Sequence, residues 1–458
     1  MNPAMATTTD ELRRLALDHL WMHNVAWTEM ETLNEPLMIV GGKGLRVTDS
    51  DGGSWIDVNG GYASVTVGYG RDEIAAAVQE QMEQIAYFPI RTAPPATIRL
   101  AAKLAEITPG SLSRTFFVSG GSEANETALK IARAFHHRQG EDQRHKIISR
   151  RGSYHGATGG VLWLGAMPGA LKDYGPPNPS AIYAPQPNLY RCEFNSQSLS
   201  ECAQRCAQAI EDLIVEEGPE TVAAVIAEPI AGGMGAAVPG DEYWPMVREI
   251  CDRYGVLLIA DEIVTGFGQT GKLFGLEHWN VVPDIMSIAK GMCSTYIPLG
   301  ATVVTQEIAE AFSQPESFFN HVFTAAGHPV ATAAGYANID IILNEGLVNN
   351  AVEMGAYMKG HLDELYERHP IIGDVRGLGL MNSIEFVADR QTKARFAPEL
   401  KIQQRLSQAF KERGLILRAH GDTIVNMFAP LCITKRDIED IAAGVDEAIG
   451  AVERDIKT

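Results

Sequence analysis

Two acids end one apolar run of this chain, and a lysine ends the next. Asp261 and Glu262 follow GVLLIA, and Lys290 closes DIMSIAK. A carboxylate at the end of a strand that is apolar on both faces is costly unless it meets a partner. A lysine leaving a buried strand loses hydration, which lowers its pKa and favours the neutral, nucleophilic amine. Such an amine can form a Schiff base with a carbonyl. Taken singly, Asp261 also reads as a helix cap or a buried ion pair, and Lys290 as a lysine reaching the surface.

The glycines after the acids raise a second reading. Gly266-x-Gly268-x-x-Gly271 has the spacing of a dinucleotide fingerprint, which must follow a strand, open a helix and be answered by an acid about 20 residues on. Here four residues separate Asp261 from Gly266, and the following KLFGLEHWNVVPD breaks at Gly275 and Pro283. Lys290-Gly291 stands where the acid belongs. The context disfavours a nicotinamide enzyme and assigns the chemistry to the acids and a turn to the glycines.

Two more stretches supply what an acid and a lysine lack. In VSGGSEANETALKIARAF a strand ends at Ser119, and Ser122 opens a helix with Ala124, Ala128, Ile131, Ala132 and Phe135 on one face. The free amides and positive dipole of a helix start form an anion site, and Gly120 and Gly121 let the backbone close on a phosphate. In SYHGAT, Tyr154 offers a face for a flat ring. His155 reads either as a backbone partner or as part of the chemistry. A phosphate site, a ring-stacking aromatic, an acid for a ring nitrogen and an imine-forming lysine describe one ligand, pyridoxal 5'-phosphate (PLP).

The elements that must position these groups follow from the pattern of apolar runs. Between 71 and 330, helical stretches at 72–86, 97–107, 122–138, 199–216 and 242–254 alternate with RTFFVS, KIISR, VAAVIAEP, GVLLIADE, DIMSIAK and GATVVT. Such alternation predicts a mainly parallel sheet covered on both faces, with function at the carboxyl ends of its strands. Those ends carry Ser119, Glu228, Asp261 and Lys290. Residues 11–30 predict an amphipathic helix anchored by Trp21 and Trp27, residues 36–70 a small antiparallel element, and 168–194 a surface or interface loop. Beyond 330, helices at 329–345, 347–368, 398–413 and 434–453 with strand pieces GDVRGLGLMNSIEFV and DTIVNMF predict a smaller α+β domain. The expected organisation is an N-terminal segment, 1–70, packing with a small domain, 331–458, beside a large cofactor-binding domain, 71–330.

Composition bounds the partners. The chain has 458 residues, 45% apolar and 21% charged, with a net charge of −19. No basic block points to nucleic acid or an anionic membrane surface. No apolar run approaches the ~20 residues of a membrane span, and the first residues lack the apolar core of a signal peptide. Cysteines at 192, 202, 206, 251, 293 and 432 form no zinc-type pair of pairs. They predict reduced thiols and a cytoplasmic location. No cluster of His with carboxylates suggests a metal.

From about residue 35 onward the chain resembles the class III (ω-type) aminotransferases of PLP fold type I. The marks are SGGSEANETALK, GSYHGAT, PNLYRC, AVIAEPI, LLIADEIVTGFGQTG, PDIMSIAKGM, YIPLGA, FTAAGHPVA, DVRGLGLM and LILRAHGD. The resemblance implies that Lys290 carries the cofactor and shuttles a proton, while Asp261 holds the proton on the pyridine nitrogen. It implies that Ile263 packs on the ring face opposite Tyr154, that Gly120, Gly121 and Ser122 bind the phosphate, and that Glu228 lies near the ring hydroxyl and the substrate. Thr324 resembles a residue reaching the phosphate from a second subunit, which implies a homodimer with active sites at the interface; a tetramer stays open. Arg418 matches a mobile arginine that pairs with a substrate carboxylate.

This chain departs from the family pattern in places. It has Ser119-Gly120 where Asn-Ser is frequent, and FTAAGHP in place of FTYSGHP. It has Gly61-Tyr62-Ala63-Ser64 where amine-specific members carry Gly-Leu-Trp-Cys, so Ala63 enlarges a pocket wall that Tyr62 refills. Phe88 and Trp163 are read as pocket residues, with core filling as the alternative; His321 and His328 read as structural. The implied reaction moves an amino group from a primary amine or ω-amino acid to a keto acid, with pyruvate the expected acceptor. A racemase or epimerase, an aminomutase or a decarboxylating transaminase would use the same cofactor. An NAD-dependent oxidoreductase is the distant alternative.

Overall fold

The computed structural model describes residues 8–30, 36–89, 92–165, 171–417, 419–420 and 423–456. An N-terminal antiparallel meander comes first: β1 (Ile39–Lys43), β2 (Arg46–Asp49) and β3 (Ser54–Asp57). A seven-stranded sheet follows, made of β4 (Leu112–Val118), β5 (Lys146–Arg150), β6 (Ala181–Ala184), β7 (Val222–Ala227), β8 (Leu257–Asp261), β9 (Ile285–Ile288) and β10 (Gly300–Thr305). Its order is β4-β10-β9-β8-β7-β5-β6. Strands β5 to β9 pair in parallel, and β10 runs antiparallel between β4 and β9. The carboxyl ends of β4, β7, β8 and β9 therefore share one edge.

The central strands are buried on both faces because their sequences are unbroken apolar runs. VAAVIA, LLIAD and IMSI are buried at every position. Val225, Ala227, Leu258 and Ala260 pack under the helices Leu199–Glu217 and Tyr243–Tyr254, whereas Ala224, Ile226, Leu257 and Ile259 meet the helix Gly121–Arg138. This two-sided cover is the arrangement parallel strands need.

The C-terminal part holds β11 (Ile372–Leu378), β12 (Met381–Phe386), β13 (Leu415–Ile416), β14 (Ala419–His420) and β15 (Ile424–Phe428). An antiparallel sheet runs β11-β12-β15-β14, with the helix Leu347–Arg368 against it. Strand β13 leaves that sheet and pairs in parallel with β3, Leu415 opposite Ile56 and Ile416 opposite Asp57. The meander is thus completed by a strand from the far end of the chain. The helix Pro329–Asn344 packs instead against Asp72–Gln84 and Pro95–Ile107.

Three expectations differ from the structure. The N-terminal helix spans only Thr9–His19 and buries none of its residues within this chain. Asn24 takes a left-handed φ of 56°, and Trp21 and Trp27 lie outside that helix, edge to face at 5.4 Å. The stretch 398–413 is split by Lys401 at φ 47° into a turn, Pro398–Leu400, and a helix, Ile402–Lys411. The expected loop 168–194 contains β6, whose four residues are too few to show a period.

Candidate active site

Side chains alternate along a strand. Asp261 therefore shares the side of Leu257 and Ile259, under the helix Gly121–Arg138. There Oδ2 accepts a hydrogen bond from Asn125 Nδ2 at 2.8 Å and lies 2.7 Å from His155 Nδ1. The carboxylate only accepts, so Nδ1 carries the proton. Oδ1 accepts the Ile263 N–H at 3.1 Å. Asp261 is 2% exposed, so these contacts replace the water its charge lost.

His155 stands between two acids. Burial would lower its pKa, but Glu228 and then Asp261 outweigh burial and raise it. Glu228, directly after β7, is held below the usual carboxylate range: burial pushes it up, and His155 and Arg150 more than reverse that. Its Oε2 accepts from Arg150 Nη2 at 3.1 Å and Ser153 Oγ at 2.9 Å, and its Oε1 from the Tyr154 N–H at 3.1 Å. Both oxygens are thereby spent on the loop that carries Tyr154. Arg150 is fully buried, 5.8 Å from the Tyr243 ring centre and 5.6 Å from that of Trp244.

Lys290 follows β9 by two residues, and β9 lies beside β8 with Ser287 opposite Asp261. Burial lowers its pKa to about 8, with Asp261 pulling the other way. Its φ of 39° turns the chain sharply out of the sheet.

The helix Gly121–Arg138 starts at the same edge, and its first amides have no acceptor within the helix. A Cβ on Gly120 would meet nothing within 4 Å, so space is open there. A Cβ on Gly121 would come within 2.8 Å of Ile263 Cδ1, which shows how closely Ile263 packs under the helix start. Ser122 Oγ accepts the Ala157 N–H at 3.1 Å and so ties the Tyr154 loop to this helix. Glu126 Oε1 adds the Thr158 hydroxyl and the Gly160 N–H, both at 2.7 Å.

The chain matches the class III aminotransferase family over residues 28–449. A thermostable (S)-enantioselective omega-transaminase from Thermomicrobium roseum superposes with a TM-score of 0.94 at 41% identity, covering 97% of this chain and 99% of that one. The putrescine–pyruvate aminotransferase of Pseudomonas aeruginosa is 37% identical across 94% of each chain. The taurine–pyruvate aminotransferase of Bilophila wadsworthia is 37% identical across 98% of this chain and 99% of its own. This chain belongs to the class III aminotransferases. It is a PLP-dependent enzyme with the type I fold of that cofactor's transferases.

The residues of this aminotransferase fit the cofactor. The open cradle at Gly120 and the helix amides suit a phosphate. Asp261 Oδ1 has one lone pair left after Ile263, which suits a protonated ring nitrogen. Tyr154 is 56% exposed above this edge and available to a ring. Among the described residues no cluster of His, Cys, Asp and Glu could hold a metal, and no helix is long and apolar enough to cross a membrane.

Other expected residues fall in different surroundings. Residues Gly60 to Ala63 form a left-handed turn, with φ of 50°, 57°, 65° and 58°. That backbone costs a residue with a Cβ about 1–2 kcal/mol, so Tyr62 and Ala63 are strained. Tyr62 is exposed and Ala63 buried. Trp163 packs with the core under the helix Gly121–Arg138, and its carbonyl accepts from Tyr183 Oη. Phe88 and Thr324 are exposed on one surface, where Tyr87 Oη donates to the Thr324 carbonyl at 2.8 Å. Arg418 lies outside the described residues.

The glycines of TGFGQTG serve packing. Gly268 and Gly271 have φ of 100° and 87°, and added Cβ atoms would strike Leu431 and Val352 at 2.8 Å. Glu262 accepts from Thr265, Gly275 N and Leu276 N, and burial pushes its pKa up to about 7. It organises the turn, whereas Asp261 faces the site. A cleft of about 870 Å³ between residues 188–199 and 374–377 contains neither Lys290 nor Asp261. Its arginines are already paired, Arg191 with Glu385 and Arg376 with Asp374 and Glu385.

Asn125, Arg150 and Ser153 escape a reading of the sequence. Asn125 carried a signal: a polar residue one position from Ala124 and four before Leu129 on a buried helix face needs a partner. Arg150 ends KIISR and looks like a strand terminus at the surface; only the tertiary fold brings it to Glu228.

Proposed function

We propose that this aminotransferase moves the amino group of a primary amine or ω-amino acid to a keto acid, with pyruvate as acceptor. The observation that carries the reading is the pairing of a depressed lysine, Lys290, with a buried acid, Asp261, fixed by Asn125, His155 and the Ile263 N–H, at adjacent strand ends. Two relatives with different donors share pyruvate as acceptor, which supports the choice.

Bound PLP supplies an electron sink for the carbon that loses or gains the amino group. Asp261 keeps a proton on the ring nitrogen and stabilises charge that develops in the ring. Lys290 Nζ, neutral at mildly alkaline pH, takes a proton from the donor carbon and returns it on the other side of the transfer; a positioned base contributes about 10²–10⁴-fold. Gly120, Gly121 and Ser122 hold the phosphate, and Tyr154 and Ile263 hold the two ring faces. Glu228 acts by fixing the Tyr154 loop. Tyr62 and Phe88 shape the donor side, Trp163 fills core behind it, and Arg418 holds the acceptor carboxylate bidentately. The enzyme works in the cytoplasm as a homodimer in which Thr324 completes the partner's phosphate site. Residues 71–330 form the large domain and 331–458, with 1–70, the small one.

The test is the visible spectrum of the PLP-loaded protein. A yellow band should bleach on adding a primary amine and return on adding pyruvate. Bleaching without return would remove pyruvate as the acceptor. A protein that takes up no PLP would overturn the site.

A further inference from the structure

Asp57 lies at the end of β3, is 4% exposed, and among the described residues forms no ion pair. Its carboxylate is used in one direction only. Oδ2 accepts the Gly61 N–H at 2.7 Å and the Tyr69 hydroxyl at 2.6 Å, and Oδ1 accepts the Asn59 N–H at 3.2 Å. Burial raises its pKa against the pull of the Tyr69 and Gly61 bonds. A charge buried in this way is costly, so the turn it grips must be worth holding.

That turn is the left-handed stretch Gly60–Ala63. Its internal bonds run from Ala63 N to Asn59 O at 2.7 Å, Ser64 N to Gly60 O at 2.8 Å and Val65 N to Gly60 O at 2.9 Å. Ser64 Oγ adds a bond to Gly61 O at 2.6 Å, and within this frame Tyr62 and Ala63 stand in a region that residues with a Cβ avoid. The chain beyond the turn is clamped against the lysine loop. Val67 N–H donates to Ser294 Oγ at 3.0 Å, and a Cβ on Gly291 would come within 2.9 Å of Thr66 Oγ1. On the other side the Leu431 N–H donates to Thr66 O at 2.8 Å, and Gly60 abuts Phe428 O. Asp57 also lies opposite Ile416 in the β3–β13 pairing, two residues before Arg418. One carboxylate therefore anchors the turn that carries Tyr62 and Ala63.

We propose that Asp57 is a positioning residue: by holding Gly60–Ala63 left-handed it sets where Tyr62 and Ala63 stand at the head of the segment that runs on, through Thr66 and Val67, to the Lys290 loop, and so which donors the enzyme accepts. The donor part rests on the function proposed above, but the conformational part does not. Asp57→Ala removes the grip, and the turn relaxes toward backbone that Tyr62 and Ala63 prefer. A second variant, Tyr62→Gly with Ala63→Gly, removes the strain, because glycine adopts this region freely. In that background Asp57 has little left to hold.

Hydrogen exchange followed by mass spectrometry on peptides covering 58–67 reads the conformational part without any chemistry. Asp57→Ala should speed exchange of the Ala63, Ser64 and Val65 amides by roughly tenfold or more, the weight of one hydrogen bond to a charged group. Peptides from β7 and β8 should stay unchanged. In the double-glycine background the increment from Asp57→Ala should shrink severalfold. An equal increment in both backgrounds, or none in either, overturns the proposal. If Asp57→Ala does not fold, Asp57→Asn in the two backgrounds gives the same comparison. For selectivity, kcat/KM is measured for n-propylamine and for 1-phenylethylamine. Asp57→Ala should change their ratio about tenfold while the KM for pyruvate holds. An equal loss with both amines would show a merely structural role. A wild-type enzyme inactive with either amine would sink the donor reading and leave the exchange result to decide the turn.

Discussion

An ordinary lysine holds its proton to about pH 10.5, whereas burial brings Lys290 to about 8. The neutral amine is the form that can take up a carbonyl, so the cofactor-free protein should show this directly. Its rate of PLP uptake should rise about tenfold per pH unit up to about pH 8 and then level. A rate still climbing at pH 10 would show an undisturbed lysine. His155 makes a second prediction at this scale. Its replacement by leucine leaves Asp261 and Glu228 buried without the cation between them. Breaking such a buried pair costs about 3–5 kcal/mol, to be read from urea unfolding of the cofactor-free protein. Folding raises the pKa of His155, so its charged contribution is fully present below the ordinary value and is lost as pH rises through the raised one. The stability gap between wild type and His155→Leu should therefore narrow toward alkaline pH. A gap that widens would mean His155 is neutral in the fold.

Three elements meet at the cofactor edge, namely β8, the loop after β5 and the helix Gly121–Arg138, and their spacing is tight. Gly121→Ala would put a Cβ 2.8 Å from Ile263 Cδ1. Overpacking of that kind costs about 1–3 kcal/mol, and PLP should bind roughly tenfold more weakly in a titration. Ile263→Ala in the same chain should restore most of the loss; an unchanged deficit would locate the fault in the helix backbone instead. The sequence was readable where one physical signal dominates. VAAVIA and GVLLIA are apolar without alternation, and DIMSI nearly so; runs this short and bounded by turn residues suit doubly covered strands, and their ends placed Glu228, Asp261 and Lys290 on one edge. It was opaque where a residue's partner comes from elsewhere in the chain. Arg150 meets Glu228 across 78 positions and Asn125 meets Asp261 across 136; the helix face shows that Asn125 needs a partner but not which one, and Arg150 has no local pattern. The left-handed turn at Tyr62 and Ala63 defies local preference altogether. The helix at the N-terminus ends at His19, short of the expected 11–30, and none of its residues is fully buried within this chain.

That unburied helix poses the question of assembly. A single chain leaves Trp21, Trp27, Phe88, Phe318 and Val322 half exposed or more. Tyr87 binds the Thr324 carbonyl, which places Phe88, Val322 and Thr324 in one neighbourhood. In the homodimer proposed above, a second copy related by two-fold symmetry would cover the neighbourhood of Phe88, Val322 and Thr324 twice. If Thr324 then completes the partner's phosphate site, each site draws Lys290 from one subunit and Thr324 from the other. Lys290→Ala and Thr324→Val should each be crippled as pure preparations. Co-expressed with different tags, they should form mixed dimers in which one site combines an intact Lys290 with an intact Thr324, and the other lacks both. Random pairing makes half of the dimers mixed, and each has one good site, so about a quarter of wild-type activity should return. Purification through both tags should raise that to about a half. Activity that stays at the mean of the two parents would confine each site to a single chain and remove Thr324 from it.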